Sequence, residues 1–317
     1  MTELKSTRDA YGEVLVELGE KNRDIVVLDA DLSVSTKTCK FAKRFPERFF
    51  DVGCAEQNLI GTAAGLSAGG KIAFASTYAI FATGRAWEQI RSLIAHDKLD
   101  VKIVVTHAGL TNSYDGASHQ SLEDIALMRV IPNMTLIVPA DAIETKKAIK
   151  ASVKISGPVY IRLSRIKTPI IFDDNYKFVI GKGVELTEGK ELSIIATGTM
   201  VSKSLEAAKI LKRVGIEARV INIHTIKPID KGLILKAAKE TGAILTVEEH
   251  SIYGGLGSSV AEILAQETEY VPFKILGVKD RFGQSGDYEE LLKEYGLTSG
   301  GIYKAAKQVY RKKLEER

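Results

Sequence analysis

Two hydrophobic periods alternate along almost the whole chain. Ala10, Tyr11, Val14, Leu15 and Leu18 recur at the spacing of one helix face. The next apolar block, Ile25-Val26-Val27-Leu28, is unbroken, the pattern of a strand covered on both sheet faces. The same alternation predicts a helix over 56–68, a strand over 72–77, a helix over 80–94 and a strand over 101–106. It then predicts a helix opening at Ser121 as N-cap with acids behind it, a strand over 134–138, a helix over 142–154 and a strand over 159–163. Between about 167 and 183, in KTPIIFDDNYKFVIGKG, both periods fail. A second series follows, with strands over 192–197, 218–223, 243–247 and 273–277 and helices over 202–214, 231–241, 258–265 and at the C-terminal end. Strands alternating with helices in this way form parallel sheets. The expectation is an α/β protein of two tandem domains, each a mostly parallel sheet flanked by helices on both faces. Residues 1–170 form the first domain, 171–185 a linker and 186–317 the second.

Length and composition fit that expectation and remove other classes. A chain of 317 residues suits two domains at roughly 100–200 residues each, and 45% hydrophobic with 26% charged residues excludes a disordered chain. No apolar run approaches the roughly 18 residues of a membrane span. The opening MTELKSTRDAYGE is charged where a signal peptide needs an apolar core, which makes the cytoplasm the expected location. Cys39 and Cys54 make no disulfide framework, and no Cys/His cluster has metal-ligand spacing, so no metal ligand set is expected in this chain. The net charge of +4 is spread evenly, without the basic stripe and interleaved aromatics of a nucleic-acid binder.

Candidate chemistry follows from topology. Ligands of open parallel sheets bind at the carboxyl ends of the strands, and that rule gathers Asp29 and Asp31, Glu56, Ser76-Thr77-Tyr78, the loop from His107 to His119, Arg162 and Arg165. Histidines, carboxylates and arginines on one edge suit acid–base work on an anionic substrate. Taken alone, Glu56 is an acid favoured by the dipole of a helix start. Its apolar setting, CAEQNLIGTAAGL, points instead to a buried acid of the kind that clusters at functional sites. HAGLTNSYDGASHQ is long for a loop inside a compact α/β unit, which favours function. The turns ATGTM and YGGLGSS lack the G-x-G-x-x-G pattern and are read as structural, and Tyr78, Phe81 and Trp87 by spacing alone are core.

Together these segments resemble the C-terminal two-thirds of transketolase, a thiamine diphosphate enzyme. DVGCAEQNLIGTAAGL resembles the segment holding the family's cofactor-activating glutamate, ASTYAIF its aromatic pyrimidine-binding segment, HAGLTNSYDGASHQSLEDIALMRVIPNM its H…DGPTHQ…LR.IPNM stretch, and YIRLSR its basic strand end. The resemblance implies that Glu56 hydrogen-bonds N1′ of the aminopyrimidine, that Tyr78 and Phe81 stack around the ring, and that Asp31 lies at the cofactor site. It implies that His107 and His119 handle protons on substrate oxygens and that Asp115 contacts the C2 hydroxyl. It further implies that Arg8, Ser35, His107 and Arg165 hold the substrate phosphate.

Departures from the family pattern qualify this. Ala117 and Ser118 replace the Pro-Thr of DGPTHQ, and Gly84 stands near where a third aromatic is usual, leaving the pocket looser or filled by Trp87. Ala55-Glu56-Gln57 is closer to deoxyxylulose-5-phosphate synthase and to pyruvate dehydrogenase beta subunits, whereas His107 is closer to transketolase. No GDG motif is present, so the diphosphate and a divalent metal such as magnesium are expected mainly on an N-terminal partner subunit. The leading expectation is one subunit of a split, hetero-oligomeric transketolase, active with its partner on ketose and aldose phosphates. A deoxyxylulose phosphate synthase-like enzyme, a pyruvate dehydrogenase-type beta subunit and a non-catalytic assembly subunit stand as alternatives. The second domain resembles the transketolase C-terminal domain, which implies an assembly role, and His250 is read as structural.

Overall fold

The unbroken apolar runs become sheet interiors. A computed structural model describes residues 3–268 and 270–315. Its strands in chain order are β1 (Leu4–Ser6), β2 (Ile25–Asp29), β3 (Phe49–Asp51), β4 (Ile72–Tyr78), β5 (Val101–Thr106), β6 (Thr135–Ile137) and β7 (Val159–Arg162). They continue with β8 (Lys167–Pro169), β9 (Val184–Thr187), β10 (Leu192–Ala196), β11 (Ala218–Asn222), β12 (Thr225–Lys227), β13 (Ile244–Ser251) and β14 (Phe273–Val278). The first sheet runs β12-β6-β7-β5-β4-β2-β3 and the second β14-β13-β10-β11-β9, while β1 and β8 pair alone. Pairings are parallel except β12 on β6, β9 on β11 and β1 on β8. Every residue of β2, β5, β10 and β11 is buried, because helices cover both faces of each sheet. Among the described residues no helix is long and apolar enough to cross a membrane.

The two halves are not separate bodies. β12 lies beyond the linker in sequence yet forms the edge of the first sheet, and one apolar cluster joins Leu136 and Val138 to Ile195, Ile221, Ile223 and Leu256. Polar groups lock the same seam. Asp141 caps the helix Ala142–Ser152 by accepting the Glu144 N–H at 2.7 Å, and its second oxygen takes the N–H groups of Ile171 and Phe172 at 2.7 and 2.9 Å, pinning the linker. Glu144 accepts from Asn222 Nδ2 of the second half and from the Tyr176 hydroxyl. Burial pushes the Glu144 carboxyl up to about 7.

Two local expectations need correction. Ser121 is not an N-cap: the helix starts at Asp124, and Ser121 instead bridges to Ala108 and Gly109, so its backbone closes the long loop. The single helix expected over 80–94 is broken into Ala79–Arg85, Trp87–Gln89 and a wider π-helical turn, Ile90–Ala95. Ala86 leaves helical geometry at φ −116°, ψ 17°, two residues after Gly84, a weak helix former.

The end of β7 carries the most demanding polar group of the fold. Arg162 is buried, donates through Nε to Asp124 Oδ2 at 2.8 Å, and reaches the carbonyls of Ser121 and Glu249 through Nη2 at 3.2 and 3.1 Å. Burial alone would raise the Asp124 carboxyl, but the charge of Arg162 overcomes it and holds Asp124 below the usual range. Arg162→Met strands a buried carboxylate, and we expect it to lower unfolding stability by about 3–5 kcal/mol in urea. Adding Asp124→Asn should restore part of that loss. A single-mutant effect below about 1 kcal/mol would contradict the assignment.

Candidate active site

The carboxyl edge of the first sheet is shaped by strand-end residues that bond to the loops they launch. Asp29, at the end of β2, is fully buried and accepts from Leu32 N–H, Thr36 Oγ1 and Thr38 Oγ1 at 2.7, 2.6 and 2.8 Å. Burial nevertheless pushes its carboxyl up to about 6. These bonds fold the loop that carries Asp31 and Ser35. Asp51, at the end of β3, takes the N–H groups of Asp31 and Gly53 at 2.9 and 3.0 Å and leads into the helix Glu56–Ala68. β4 ends at Tyr78, and the following helix presents Phe81. β5 runs into His107, which adopts a left-handed φ of +59°, with Nδ1 paired to Thr106 Oγ1 at 2.8 Å.

Four of the expected side chains form one ring cluster. Tyr78 stacks on His107 with centroids 3.8 Å apart and on Phe81 at 5.6 Å, and His119 meets Phe81 edge-on at 5.2 Å. Beside it lies a cationic group. Arg8 donates to the Ser35 carbonyl at 2.7 Å and to the Arg165 carbonyl at 2.9 Å. Arg165 donates to the Asn112 carbonyl at 3.1 Å and lies 3.8 Å from Asp115. Ser35 thus contributes its backbone to this contact. Burial lowers the Arg8 pKa, and the like charge of Arg165 adds to that effect. His107 is driven down to about 2, first by burial and then by the positive charges of Arg8 and Arg165, with smaller effects of His119 and Lys37. It is therefore a neutral imidazole with Nε2 left for a ligand, beside two guanidinium groups suited to an anion. Asp31 stands apart from both groups. It is exposed, and its bonding neighbours are Asp51 and Cys54.

Glu56 is 5% exposed at the first position of its helix, and both its oxygens accept from Arg85 Nη1, at 3.1 and 3.2 Å. The Arg85 guanidinium also lies over the Phe81 ring, 4.2 Å from its centroid. Trp87 does not fill the space near Gly84: its indole N–H donates to the Leu127 carbonyl at 2.9 Å and its ring packs on the core. A buried carboxylate beside stacked aromatic faces, already holding a flat N–H donor, is chemically suited to a planar nitrogen heterocycle. Among the described residues no group of three or more His, Cys, Asp or Glu could hold a metal ion.

The second domain reaches this edge through residues that sequence reasoning passed over. Glu249, in β13, accepts the Leu110 N–H at 2.5 Å on one oxygen, and Thr199 Oγ1 and the Tyr288 hydroxyl at 2.6 and 2.7 Å on the other. It pins the start of the histidine loop where Gly109 has φ +66°, and a Cβ on Gly109 would collide with the Glu249 carboxylate. Further along the same loop, Gln120 donates to the Gln284 carbonyl, and Ser285 donates to the Tyr114 carbonyl. The available signal was the pair Glu248-Glu249 directly after the mostly apolar run 243–247; Arg85 gave none, since a basic residue within the helix expected over 80–94 reads as an ordinary solvated position.

The buried neutral state of His107 has a pH signature. Its folded pKa lies below the unfolded value of about 6.5, so the unfolded chain takes up the proton first as pH falls. The stability tied to neutral His107 is present above about pH 6.5 and lost below it. The stability gap between wild type and His107→Asn should shrink by up to about 2 kcal/mol between pH 6.5 and pH 5, read by urea unfolding. A gap that stays constant would refute the buried neutral assignment.

Comparison with known proteins places this geometry in a family. Residues 4–170 match the family model of the transketolase pyrimidine-binding domain, and residues 181–302 that of the transketolase C-terminal domain. A transketolase C-terminal section of Methanocaldococcus jannaschii is 53% identical over 302 residues, covering 95% of each chain. A 6-deoxy-6-sulfo-D-fructose transketolase subunit of Clostridium sp. strain MSTE9 is 42% identical, covering 96% of this chain and 95% of its own. The solved structure of a split gene transketolase, described as an inactive beta4 tetramer, superposes with a TM-score of 0.90 at 54% identity, covering 96% of this chain and 98% of its own. The chain therefore belongs to the transketolase family, its first half built as the pyrimidine-binding domain and its second as the C-terminal domain.

Proposed function

We propose that this chain is the C-terminal subunit of a split transketolase. With an N-terminal partner subunit it would use thiamine diphosphate to move a two-carbon ketol unit from a ketose phosphate to an aldose phosphate. The observation that carries this reading is the convergence, on one sheet edge, of a buried acid beside stacked aromatics, a neutral histidine and a two-arginine anion site. Relatives named as a C-terminal section, as a transketolase subunit and as a split gene product support the division between two chains.

When bound, thiamine diphosphate supplies a nucleophilic carbon and the electron sink that lets a carbon–carbon bond break beside a carbonyl. In this reading Glu56 holds a hydrogen bond to N1′ of the aminopyrimidine, and Phe81, backed by the stacked Tyr78, offers its other aromatic face to the ring. His107, neutral and with Nδ1 engaged by Thr106, bonds a substrate oxygen through Nε2. His119, half-buried beside Ser118 Oγ, moves protons between substrate oxygens and the mouth of the site. Arg8 and Arg165 clamp the phosphate, Ser35 lines that end, and Asp115 orients a hydroxyl next to Arg165. Asp31 borders the cofactor at the rim. The diphosphate and its divalent cation, such as magnesium, fall mainly to the partner, because this sequence carries no GDG motif.

Co-expression with an N-terminal partner should yield thiamine-dependent ketol transfer with pentose phosphates. Glu56→Gln should cut kcat at least about a hundredfold while the complex still assembles. Turnover with no phosphorylated sugar would overturn the reading, and a fully active Glu56→Gln complex would point to an assembly subunit instead. Ala55-Glu56-Gln57 keeps a synthase in view, and pyruvate-dependent release of CO2 would favour it over ketol transfer. Arg165→Leu should raise KM for phosphorylated substrates by about ten- to a hundredfold with a smaller effect on kcat, measured by steady-state kinetics.

A further inference from the structure

Arg85 has no task in the proposed chemistry, yet it holds both features that an aminopyrimidine would need. Its Nη1 lies 3.1 and 3.2 Å from the two Glu56 oxygens, so the buried carboxylate is engaged. Its guanidinium carbon lies 4.2 Å from the Phe81 centroid, so that stacking face is covered. A guanidinium is planar, delocalised and rimmed with N–H donors, and in these respects it imitates an aminopyrimidine. The backbone sets the position. The helix Ala79–Arg85 stops at Arg85, and Gln57 Nε2 donates to the Arg85 carbonyl at 3.2 Å, tying the residue to the helix that carries Glu56. The side chain is 57% exposed, against 6% for Glu56, so it has an open path outwards.

We propose that Arg85 is a resident placeholder for the aminopyrimidine. Without cofactor its guanidinium occupies the seat between Glu56 and Phe81 and neutralises a carboxylate that would otherwise be buried unpaired. The cofactor's ring and this conformer exclude one another, because a single ring face and a single carboxylate serve both. Binding therefore requires Arg85 to swing towards the mouth, and the observed affinity is reduced by the fraction of molecules in which Arg85 fills the seat. The inference rests on the reading of Glu56, Tyr78 and Phe81 as the pyrimidine seat.

The test is calorimetric titration of thiamine diphosphate and magnesium into the full chain assembled with its N-terminal partner, without sugar substrate. Arg85→Ala should bind about five- to tenfold more tightly than wild type, the range expected for losing one half-exposed ion pair and one cation–π contact. Arg85→Gln, which keeps an N–H donor without the charge and the flat fork, should fall between the two. In thermal melts, saturating cofactor should raise the Tm of Arg85→Ala by more than that of wild type, a readout independent of turnover. Wild-type binding with unchanged or weaker binding by Arg85→Ala overturns the placeholder and leaves the seat standing. Binding by neither protein overturns the placeholder and the seat together.

Discussion

The buried charge of Arg162 is the constraint around which the rest of this molecule is arranged. A guanidinium withdrawn from water needs a carboxylate and several oxygens, and here they come from three places: Asp124, the Ser121 carbonyl that closes the histidine loop, and the Glu249 carbonyl of the second domain. Satisfying one side chain therefore joins the carboxyl edge of the first sheet to β13. Glu249 then returns the connection through its own carboxylate, which catches the Leu110 N–H. The second domain is in this sense part of the wall of the site. The assembly role implied by the resemblance omits that contribution.

The electrostatics of the edge divide the site in two. On one side, burial and two arginines keep His107 neutral and leave positive potential for an anion. On the other, Glu56 is shielded from water and met by a single cation from the following strand–helix unit. The ring cluster of Tyr78, Phe81, His107 and His119 lies between them, so a ligand spanning the edge would pass from a carboxylate, across aromatic faces, to a pair of guanidinium groups. That order is what the proposed ketol transfer requires.

Much of the frame was legible in sequence because burial leaves a periodic mark. β2 and β5 are buried throughout; β2 reads as an apolar run up to Asp29 and β5 as one interrupted only by Lys102 before Thr106, and helix 231–241 was recovered to the residue. β12 left no such mark: three residues, one of them a lysine, pair at the edge of a sheet whose other strands all precede the linker. Ser121 satisfied the local chemistry of an N-cap, but the loop needed its backbone for a bridge to Gly109. The break after Arg85 was hidden because the apolar residues on both sides keep helical spacing although the backbone changes pitch.

By itself the sequence determined the alternating elements, the parallel sheets and, through the topological rule for strand ends, the edge on which polar residues gather. These follow from local periodicity and from chain geometry, both of which are written in order along the chain. Tertiary structure alone decided that Tyr78 stacks on His107, that Arg8 bonds to Arg165, that Glu249 reaches the loop and that Arg85 lies on Glu56. Residues 29 to 157 positions apart meet in the last three of these contacts. Desolvation and charge depend on which groups finally surround a side chain, so the neutrality of His107 and the occupant of the Glu56 carboxylate could emerge only once the sheets had packed.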